Sequence, residues 1–393
     1  FAPIEPAKTT AEIVTGVQTV ISAITFESIR TVNGITRFAV NAAADAAETN
    51  LPSEVQDAEL ATPIRSTAAG TASWVVDYAQ ASLNGFWGDY IERKNSRLDL
   101  GMTLRHHGRH LPATAEAFEQ AFPNPTPKVC VFVHALAATE WLWSLSSEAH
   151  YGDPEVTFGT RLLEDAGFTP IYLRYNSGLH ISENGKRLAT LLDEVLDAYP
   201  ISVEEIALVG HSMGGLVARS AAHYGSTHDA RWAKLLRHVA CIGSPHLGAP
   251  LEKAVHVFAS VLRRVDAAGA QVTAELLAAR SVGVKDLRYG YTLDEEWSGE
   301  DPDAVFADAR KNVPLVDGVG YYFVAATISR DPDHPVGQLL GDLLVRLPSA
   351  AGEAPEPARR VRFNGGGFVN GVSHVDIASH PAVYDVLRDL LAT

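Results

Sequence analysis

From about residue 125 to the C terminus, short apolar runs alternate with longer segments whose apolar residues recur at helical spacing. The runs with the length of buried strands are Val129–Val133, Pro170–Arg174, Ile206–Val209, His238–Ile242, Tyr321–Ala326 and Arg360–Phe363. Helical spacing covers 183–198, 214–223 and 381–391, the last of which begins at Pro381. Strands that alternate with helices form a mostly parallel sheet with helices on both faces, so the pattern predicts an α/β fold.

The first 120 residues have a different, helical pattern. Apolar residues at three-to-five-residue intervals predict a helix from the teens to the forties, and a second helix covers Ala72 to Tyr90. We therefore divide the chain into a helical N-terminal extension, 1–120, and a catalytic domain, 121–393. The two helices are expected to pack on that domain or on a second copy of the chain, which would make a homodimer. The alternative is a lipid-surface or partner-docking element, which the shortage of Lys and Arg on the polar faces disfavours.

A long stretch without a strand signal, about 250–315, separates two of the predicted strands. Its helical patterns, such as Val255 to Val265 and Thr273 to Ala279, predict a cap or lid above a site.

The sequence Gly210-His211-Ser212-Met213-Gly214 directly follows a predicted strand and precedes a predicted helix. A Gly-x-Ser-x-Gly pattern in this context predicts a sharp turn that presents the serine hydroxyl at the edge of the sheet. Ser212 is therefore the predicted nucleophile.

A serine nucleophile needs a base and an orienting acid, which should follow it in the order acid, histidine. His374 precedes the last helix and is the predicted base, with His380 as the second candidate. Three aspartates follow the strand Tyr321–Ala326: Asp331, Asp333 and Asp342. Asp342 is preferred because it stands in an apolar run, as an acid buried against an imidazole requires.

The backbone amides of Met213 and of Leu136, or of its neighbour Ala135, are the predicted oxyanion donors. Leu136 belongs to the small-residue loop after the strand Val129–Val133, in which His134 is expected to brace the backbone. Trp141 and Trp143 follow, and they are candidates for lining a substrate pocket, although aromatic residues near a site more often belong to the core.

Composition and charge argue against several kinds of partner and site. A net charge of −15 disfavours nucleic acid and anionic lipid as partners. The two cysteines, Cys130 and Cys241, lie in apolar runs and predict buried thiols rather than a metal site. The sequence contains no apolar run long enough for a transmembrane segment. A cytoplasmic location is mildly favoured, although a sequence that starts with Phe1 leaves any signal peptide unseen.

These motifs, in this order, resemble the α/β-hydrolase superfamily, and within it the lipase-like esterases of bacteria, which are related to the lipid-anchor inositol deacylases. The matching segments are His134-Ala135-Leu136, Gly210–Gly215, Gly243–Pro250, Asp342–Val345 and His374-Val375-Asp376. The resemblance covers about 125–393 and favours Asp342 and His374 over the other candidates. It implies the α/β-hydrolase fold, in which the strands of Cys130 and Cys241 are not neighbours.

Four positions bear on how far the resemblance extends. Ala135 and Ala137 stand where glycine is usual in the oxyanion loop, and Leu343 stands where glycine is usual in the acid motif. Asp376 matches a position that binds structural calcium in some of these lipases, but no partner aspartate is evident upstream, so a helix cap is the preferred interpretation.

The sequence therefore predicts a serine carboxylic-ester hydrolase that acts on a small-molecule or lipid ester through an acyl-enzyme. This chemistry needs no metal or organic cofactor. A depolymerase of polyesters of the polyhydroxyalkanoate type is an alternative substrate assignment. A non-catalytic binding or scaffold protein is the alternative from another class, because a fold alone does not imply activity.

Overall fold

The structure is a computed structural model that describes residues 68–249, 281–298, 310–311, 313–331 and 341–392. The predicted helix in the teens to the forties lies outside these residues. Most of the predicted lid, 250–280 and 299–309, also lies outside them.

The strands, in chain order, are β1 Met102–His106, β2 Arg109–Leu111, β3 Lys128–Val133, β4 Phe168–Tyr175, β5 Glu205–His211, β6 Leu236–Ile242, β7 Gly320–Thr327 and β8 Gly365–Asn370. The helices are α1 Ala68–Arg93, α2 Ala115–Ala121, α3 Ser147–Tyr151, α4 Phe158–Ala166, α5 Ile181–Ala198, α6 Met213–Thr227, α7 Val282–Asp286, α8 Asp294–Trp297, α9 Leu347–Ala350 and α10 Pro381–Leu391. Short 3-10 helices cover Glu140–Ser144, Trp232–Lys234, Pro357–Arg359 and Asp376–Ala378. Among the described residues, no helix is both long and apolar enough to cross a membrane.

The strands form one sheet in the order β2-β1-β4-β3-β5-β6-β7-β8. The run from β4 to β8 is parallel, and β1 pairs antiparallel with both β2 and β4. This mostly parallel sheet with helices is the α/β-hydrolase-like fold that the sequence predicts. The connection after β3 leads to β4 on one side of it, whereas the connection after β5 leads to β6 on the opposite side, so the strand order reverses between β3 and β5. In open α/β sheets, ligands bind beyond the carboxyl ends of the strands at such a point.

Both faces of the sheet are buried, as the near-continuous apolar strands require. Along β3, Val129, Val131 and Val133 belong to one core cluster, whereas Cys130 and Phe132 belong to the other. Successive side chains of a strand point to opposite faces, so one strand contributes to both cores. Cys130 and Cys241 are buried free thiols on β3 and β6, with β5 between them, as predicted.

The start of the sheet differs from the sequence prediction. β1 and β2 lie inside the segment assigned to the helical extension, 1–120, and they form the edge of the same sheet. Their strand signal is weak because both are short and polar residues interrupt them, such as Arg105 and His110. The predicted second helix is present as α1, with a non-helical backbone at Trp87.

The last strand also differs from the prediction, which placed it at Arg360–Phe363. The strand is the glycine-rich β8, parallel to β7. A Cβ on Gly366 would lie 2.2 Å from the ring of Phe323, and a Cβ on Gly367 would lie 2.5 Å from Val386 of α10. Packing on both sides of this edge strand requires glycine, although glycine has a low intrinsic strand propensity.

Candidate active site

Ser212 stands between β5 and α6 with a left-handed backbone, φ 56° and ψ −121°. Such a conformation is strained for a residue with a side chain, and it persists only where the surroundings enforce it. A Cβ on Gly210 would lie 2.3 Å from the backbone of Gly214, and a Cβ on Gly214 would lie 2.2 Å from the carbonyl oxygen of Val133. The two glycines therefore let strand, turn and helix pack closely around the serine.

The structure brings His374 and Asp342 together at the carboxyl ends of the strands. His374 Nδ1 lies 2.7 Å from Asp342 Oδ2, and both side chains are buried. The other carboxylate oxygen, Oδ1, accepts hydrogen bonds from the amides of Leu344 at 3.1 Å and Val345 at 2.8 Å. With Nδ1 donating to the carboxylate, Nε2 of His374 is the nitrogen that can accept a proton.

The other acid and base candidates lie elsewhere. Asp331 is exposed in a turn with Ser329, and Asp333 lies outside the described residues. His380 caps the start of α10, where its Nδ1 accepts from the amide of Ala382.

His211 connects the serine turn to His374. It directly precedes Ser212, and its ring centroid lies 4.8 Å from that of His374. Burial, and then the proximity of His374, lower the pKa of His211 well below its usual value. A neutral ring therefore lies beside His374 and adds no positive charge next to it.

Gly243 provides the space for the acid–base pair at the end of β6. It has a φ of 57°, and a Cβ there would lie 3.3 Å from Asp342 Oδ2 and 3.6 Å from His374 Cε1. The sequence predicts no separate role for His211 or Gly243, although both belong to the motifs that carry the resemblance.

The loop that follows β3 is braced by its own histidine. His134 is fully buried, with Nδ1 2.8 Å from the carbonyl oxygen of Ala135 and Nε2 accepting from the amide of Tyr175 at 3.2 Å. These two partners fix the tautomer, with the proton on Nδ1. Burial lowers the pKa of His134 to about 3, so the ring is neutral. The structure thus gives His134 the bracing position that the sequence predicts.

The predicted oxyanion donors, Met213 and Leu136, lie at the start of α6 and in the loop after β3. Met213 is the first residue of α6, so its amide has no partner within the helix. Leu136 lies in the loop between two alanines, and Ala137 has a left-handed φ of 55°. The Ala137 amide donates to Ser177 Oγ at 2.9 Å. Ser177 follows β4, and no local sequence signal links it to a loop 40 residues earlier.

Helix α1 packs directly on this loop. A Cβ on Gly85 would lie 2.6 Å from the Cβ of Ala137, so the helix backbone touches the loop. Asp77 accepts from Trp141 Nε1 at 3.1 Å and from both terminal nitrogens of Arg174 at 2.8 and 2.9 Å. Arg174 also donates to both oxygens of Glu140. Burial alone would lower the pKa of Arg174, but the two carboxylates offset it and raise the pKa.

The two tryptophans have different surroundings. Trp143 is fully buried in the core, where its ring packs against Phe132 at 5.1 Å and Phe158 at 6.2 Å between centroids. The structure therefore places Trp143 in the core rather than on a pocket wall. Trp141 is half-buried and is held by Asp77, between the loop and α1.

The neighbours of Asp376 do not suit calcium. Asp376 Oδ1 lies 2.8 Å from His150 Nε2, and His380 is the other potential ligand of this group. Calcium takes six to eight oxygen ligands, whereas two of these three groups are imidazoles. The donor set does not fit a calcium ion of the kind found in some lipases.

No curated protein matches the sequence. Three solved structures are similar, and each match covers 68% of this chain. A lipase from Bacillus licheniformis has a TM-score of 0.42 and 17% identity, with 93% of its chain covered. An esterase from Pyrococcus furiosus has a TM-score of 0.38 and 12% identity, with 82% covered, and a lipase-esterase related protein from Clostridium acetobutylicum has a TM-score of 0.37 and 12% identity, with 94% covered.

A family model described as "PGAP1-like alpha/beta domain" matches residues 174–313. The matched segment begins at the end of β4 and includes β5, Ser212 with its turn, α6 and β6. Together with the strand order, this match identifies the described chain as a protein with an α/β-hydrolase-like fold.

Proposed function

We propose that this protein is a serine carboxylic-ester hydrolase in which Ser212 forms an acyl-enzyme. The observation that carries the proposal is the buried His374–Asp342 pair, with Nδ1 and Oδ2 2.7 Å apart, beside the strained turn of Ser212. A buried hydrogen bond between an imidazole and a carboxylate, which leaves the second imidazole nitrogen for a neighbouring hydroxyl, is the arrangement that activates a serine.

In the proposed first half-reaction, Ser212 Oγ attacks the ester carbonyl while His374 Nε2 takes the hydroxyl proton. The carbonyl oxygen becomes an anion, which the amides of Met213 and Leu136 bind. The tetrahedral intermediate then collapses, the bond to the alcohol breaks, and His374 gives its proton to the leaving alkoxide. In the second half-reaction, water attacks the acyl-enzyme by the same route and releases the carboxylic acid.

The roles of the supporting groups follow from their partners. Asp342 holds the proton on Nδ1 of His374 and stabilises the imidazolium that forms. Its other oxygen is occupied by two backbone amides, which fixes the orientation of the carboxylate. The positive end of the α6 dipole lies at Ser212 and Met213 and favours the developing oxyanion.

Substitution of Ser212 by alanine tests the proposal. We expect kcat for a short-chain nitrophenyl ester to fall by at least about 10⁴-fold in Ser212→Ala, because the nucleophile is lost. Ser226→Ala is the matched control, since Ser226 is exposed near the end of the same helix; it should keep wild-type turnover. Turnover by Ser212→Ala near the wild-type rate would contradict the proposal.

The acyl group is best assigned by a profile of rates over ester chain length. Highest rates with short acyl chains would indicate a simple esterase, and highest rates with long chains would indicate a lipase. Release of monomers from a polyester film would indicate a depolymerase. If Ser212→Ala and the wild type are both inactive on all these esters, the non-catalytic alternative holds.

A further inference from the structure

A second cluster of chemically active side chains lies close to the proposed active site. His150 of α3, Asp376 and His380 each offer one ligand atom, and these atoms all lie within 4.8 Å of one another. His150 Nε2 is 2.8 Å from Asp376 Oδ1, and the rings of His150 and His380 lie 4.9 Å apart between centroids, nearly perpendicular. None of the three belongs to the proposed catalytic machinery.

The donor atoms of this cluster indicate the class of ion. Imidazole nitrogens suit zinc, copper and nickel, whereas magnesium and calcium prefer sites made of oxygen atoms. Two histidines and one carboxylate form a three-ligand set, which leaves a further position for water. The side chains are half-buried, so an ion can reach them from solvent.

We propose that His150, Asp376 and His380 bind a divalent transition-metal ion of the zinc type. The ion would be structural, because the proposed ester hydrolysis requires none. It would join α3 to a segment 226 residues later, which contains the short helix Asp376–Ala378 and His380 at the start of α10.

Small side-chain movements would close the site. Ligands at about 2.0 Å around a tetrahedral zinc ion lie about 3.3 Å apart. His150 and Asp376 would therefore separate by about 0.5 Å, and the more distant atoms of the cluster, now within 4.8 Å, would approach by up to about 1.5 Å. His380 Nδ1 now accepts from the amide of Ala382 at 3.2 Å. If Nε2 bound the ion, the ring proton would move to Nδ1, which could then no longer accept from Ala382. If Nδ1 bound the ion, the metal–nitrogen bond would replace the hydrogen bond from Ala382.

Without an ion, the contact of His150 Nε2 with Asp376 Oδ1, at 2.8 Å, is an ordinary hydrogen bond that bridges the same segments.

The site lies on the same loop as His374. Asp376 is two residues after His374, and the amide of Ile377 donates to the carbonyl oxygen of Ser373 at 3.0 Å. An ion on Asp376 would therefore restrain the loop that carries the proposed base. We expect bound metal to raise the melting temperature and to slow proteolysis of this loop.

The experiment uses the full chain after treatment with a chelator, followed by titration with Zn²⁺ and separately with Co²⁺. We expect one ion per chain, a higher melting temperature with Zn²⁺, and a visible absorption band from Co²⁺ bound by nitrogen and oxygen ligands. His150→Gln, His380→Ala and Asp376→Asn should each weaken binding by at least about tenfold, since each removes a direct ligand. Circular dichroism of the metal-free variants checks that they are folded.

His107→Ala is the matched control. His107 also faces a carboxylate, Glu155 at 3.8 Å, but both side chains are exposed and belong to no cluster of three ligands among the described residues. This variant should bind Zn²⁺ like the wild type. The proposal is overturned if the wild type binds no ion, if folded ligand variants bind as tightly as the wild type, or if Ca²⁺ stabilises the chain and Zn²⁺ does not.

Discussion

At the scale of single residues, two of the non-glycine residues with positive φ lie in the loops after β3 and β7. Ala137 has a φ of 55° in the loop after β3, and Leu343 has a φ of 93° in the turn that follows Asp342. Both are positions at which the related motifs normally have glycine. Ala137 and Leu343 therefore have the backbone conformation that glycine would adopt, and their Cβ atoms make that conformation strained.

Leu343→Gly tests whether this strain is real. Its side chain is 37% exposed, so little packing is lost, and the free energy of unfolding should rise by up to about 1 kcal/mol. Leu344→Gly is the control, because Leu344 packs against the small cluster around Val345 and should lose about 2 kcal/mol. Urea unfolding measures both; equal destabilisation by the two substitutions would contradict the argument.

The residues of the candidate site that could be predicted from the sequence are those with a local signal. Ser212 has its glycines within two positions, and Asp342 and His374 follow predicted strands in the expected order. Ser177, which holds the Ala137 amide, has no such signal because the contact joins two separate loops. The contact of His150 with Asp376 spans 226 residues and is likewise invisible in a single sequence.

At the scale of elements, apolar runs predicted the central strands to within three residues at either end. Three strands were not predicted. β1 and β2 form a short hairpin in which polar residues interrupt the apolar pattern. The glycines of β8 are required by the close packing of Phe323 and of α10. In each case the tertiary neighbour, rather than the local preference, decides the conformation.

Helix α1 precedes the part of the chain that the resemblance covers, and its contacts show where it packs. Its contacts with the loop after β3 favour the interpretation that this helix packs on the domain that contains the sheet. Asn84 of α1 also donates to the carbonyl oxygen of Leu98 at 2.7 Å and accepts from the amide of Leu100 at 3.0 Å. The helix therefore packs against the loop after β3, which carries the proposed oxyanion donor Leu136.

Asp77→Ala tests this packing. Asp77 and Arg174 form a largely buried pair, so removing the carboxylate should lower the free energy of unfolding by about 2–4 kcal/mol. Asp89→Ala on the same helix is the control: Asp89 pairs with the exposed Arg93, and its loss should cost about 0.5 kcal/mol or less. Chemical denaturation compares the two. Equal effects would show that the buried pair does not anchor the helix.

At the scale of the whole molecule, several histidines are buried in neutral form. Burial lowers the pKa of His134 to about 3, and it lowers the pKa of His211 and His246 well below the usual value of 6.5. Each of these rings is held in place as a neutral group. Protonating one costs more in the folded chain than in the unfolded chain.

We therefore expect stability to depend on pH in a defined window. The unfolded chain binds the extra protons below pH 6.5, while the folded His134 binds its proton only near pH 3. The contribution of these histidines to the free energy of unfolding is fully present above about pH 6.5. Below that pH it falls by about 1.4 kcal/mol per pH unit for each such histidine. Melting temperatures should be level from pH 8 to 7 and drop between pH 6.5 and 5. A melting temperature that stays constant down to pH 5 would contradict this account.

The central claim is that His374 and Asp342 activate Ser212, and covalent labelling with a fluorophosphonate probe tests it most directly. Peptide mass spectrometry should find the probe on Ser212, with labelling absent in Ser212→Ala and at least about 100-fold slower in His374→Ala. Ser226→Ala should label like the wild type. No labelling, labelling at another residue, or labelling of Ser212 at an unchanged rate in His374→Ala would contradict the claim.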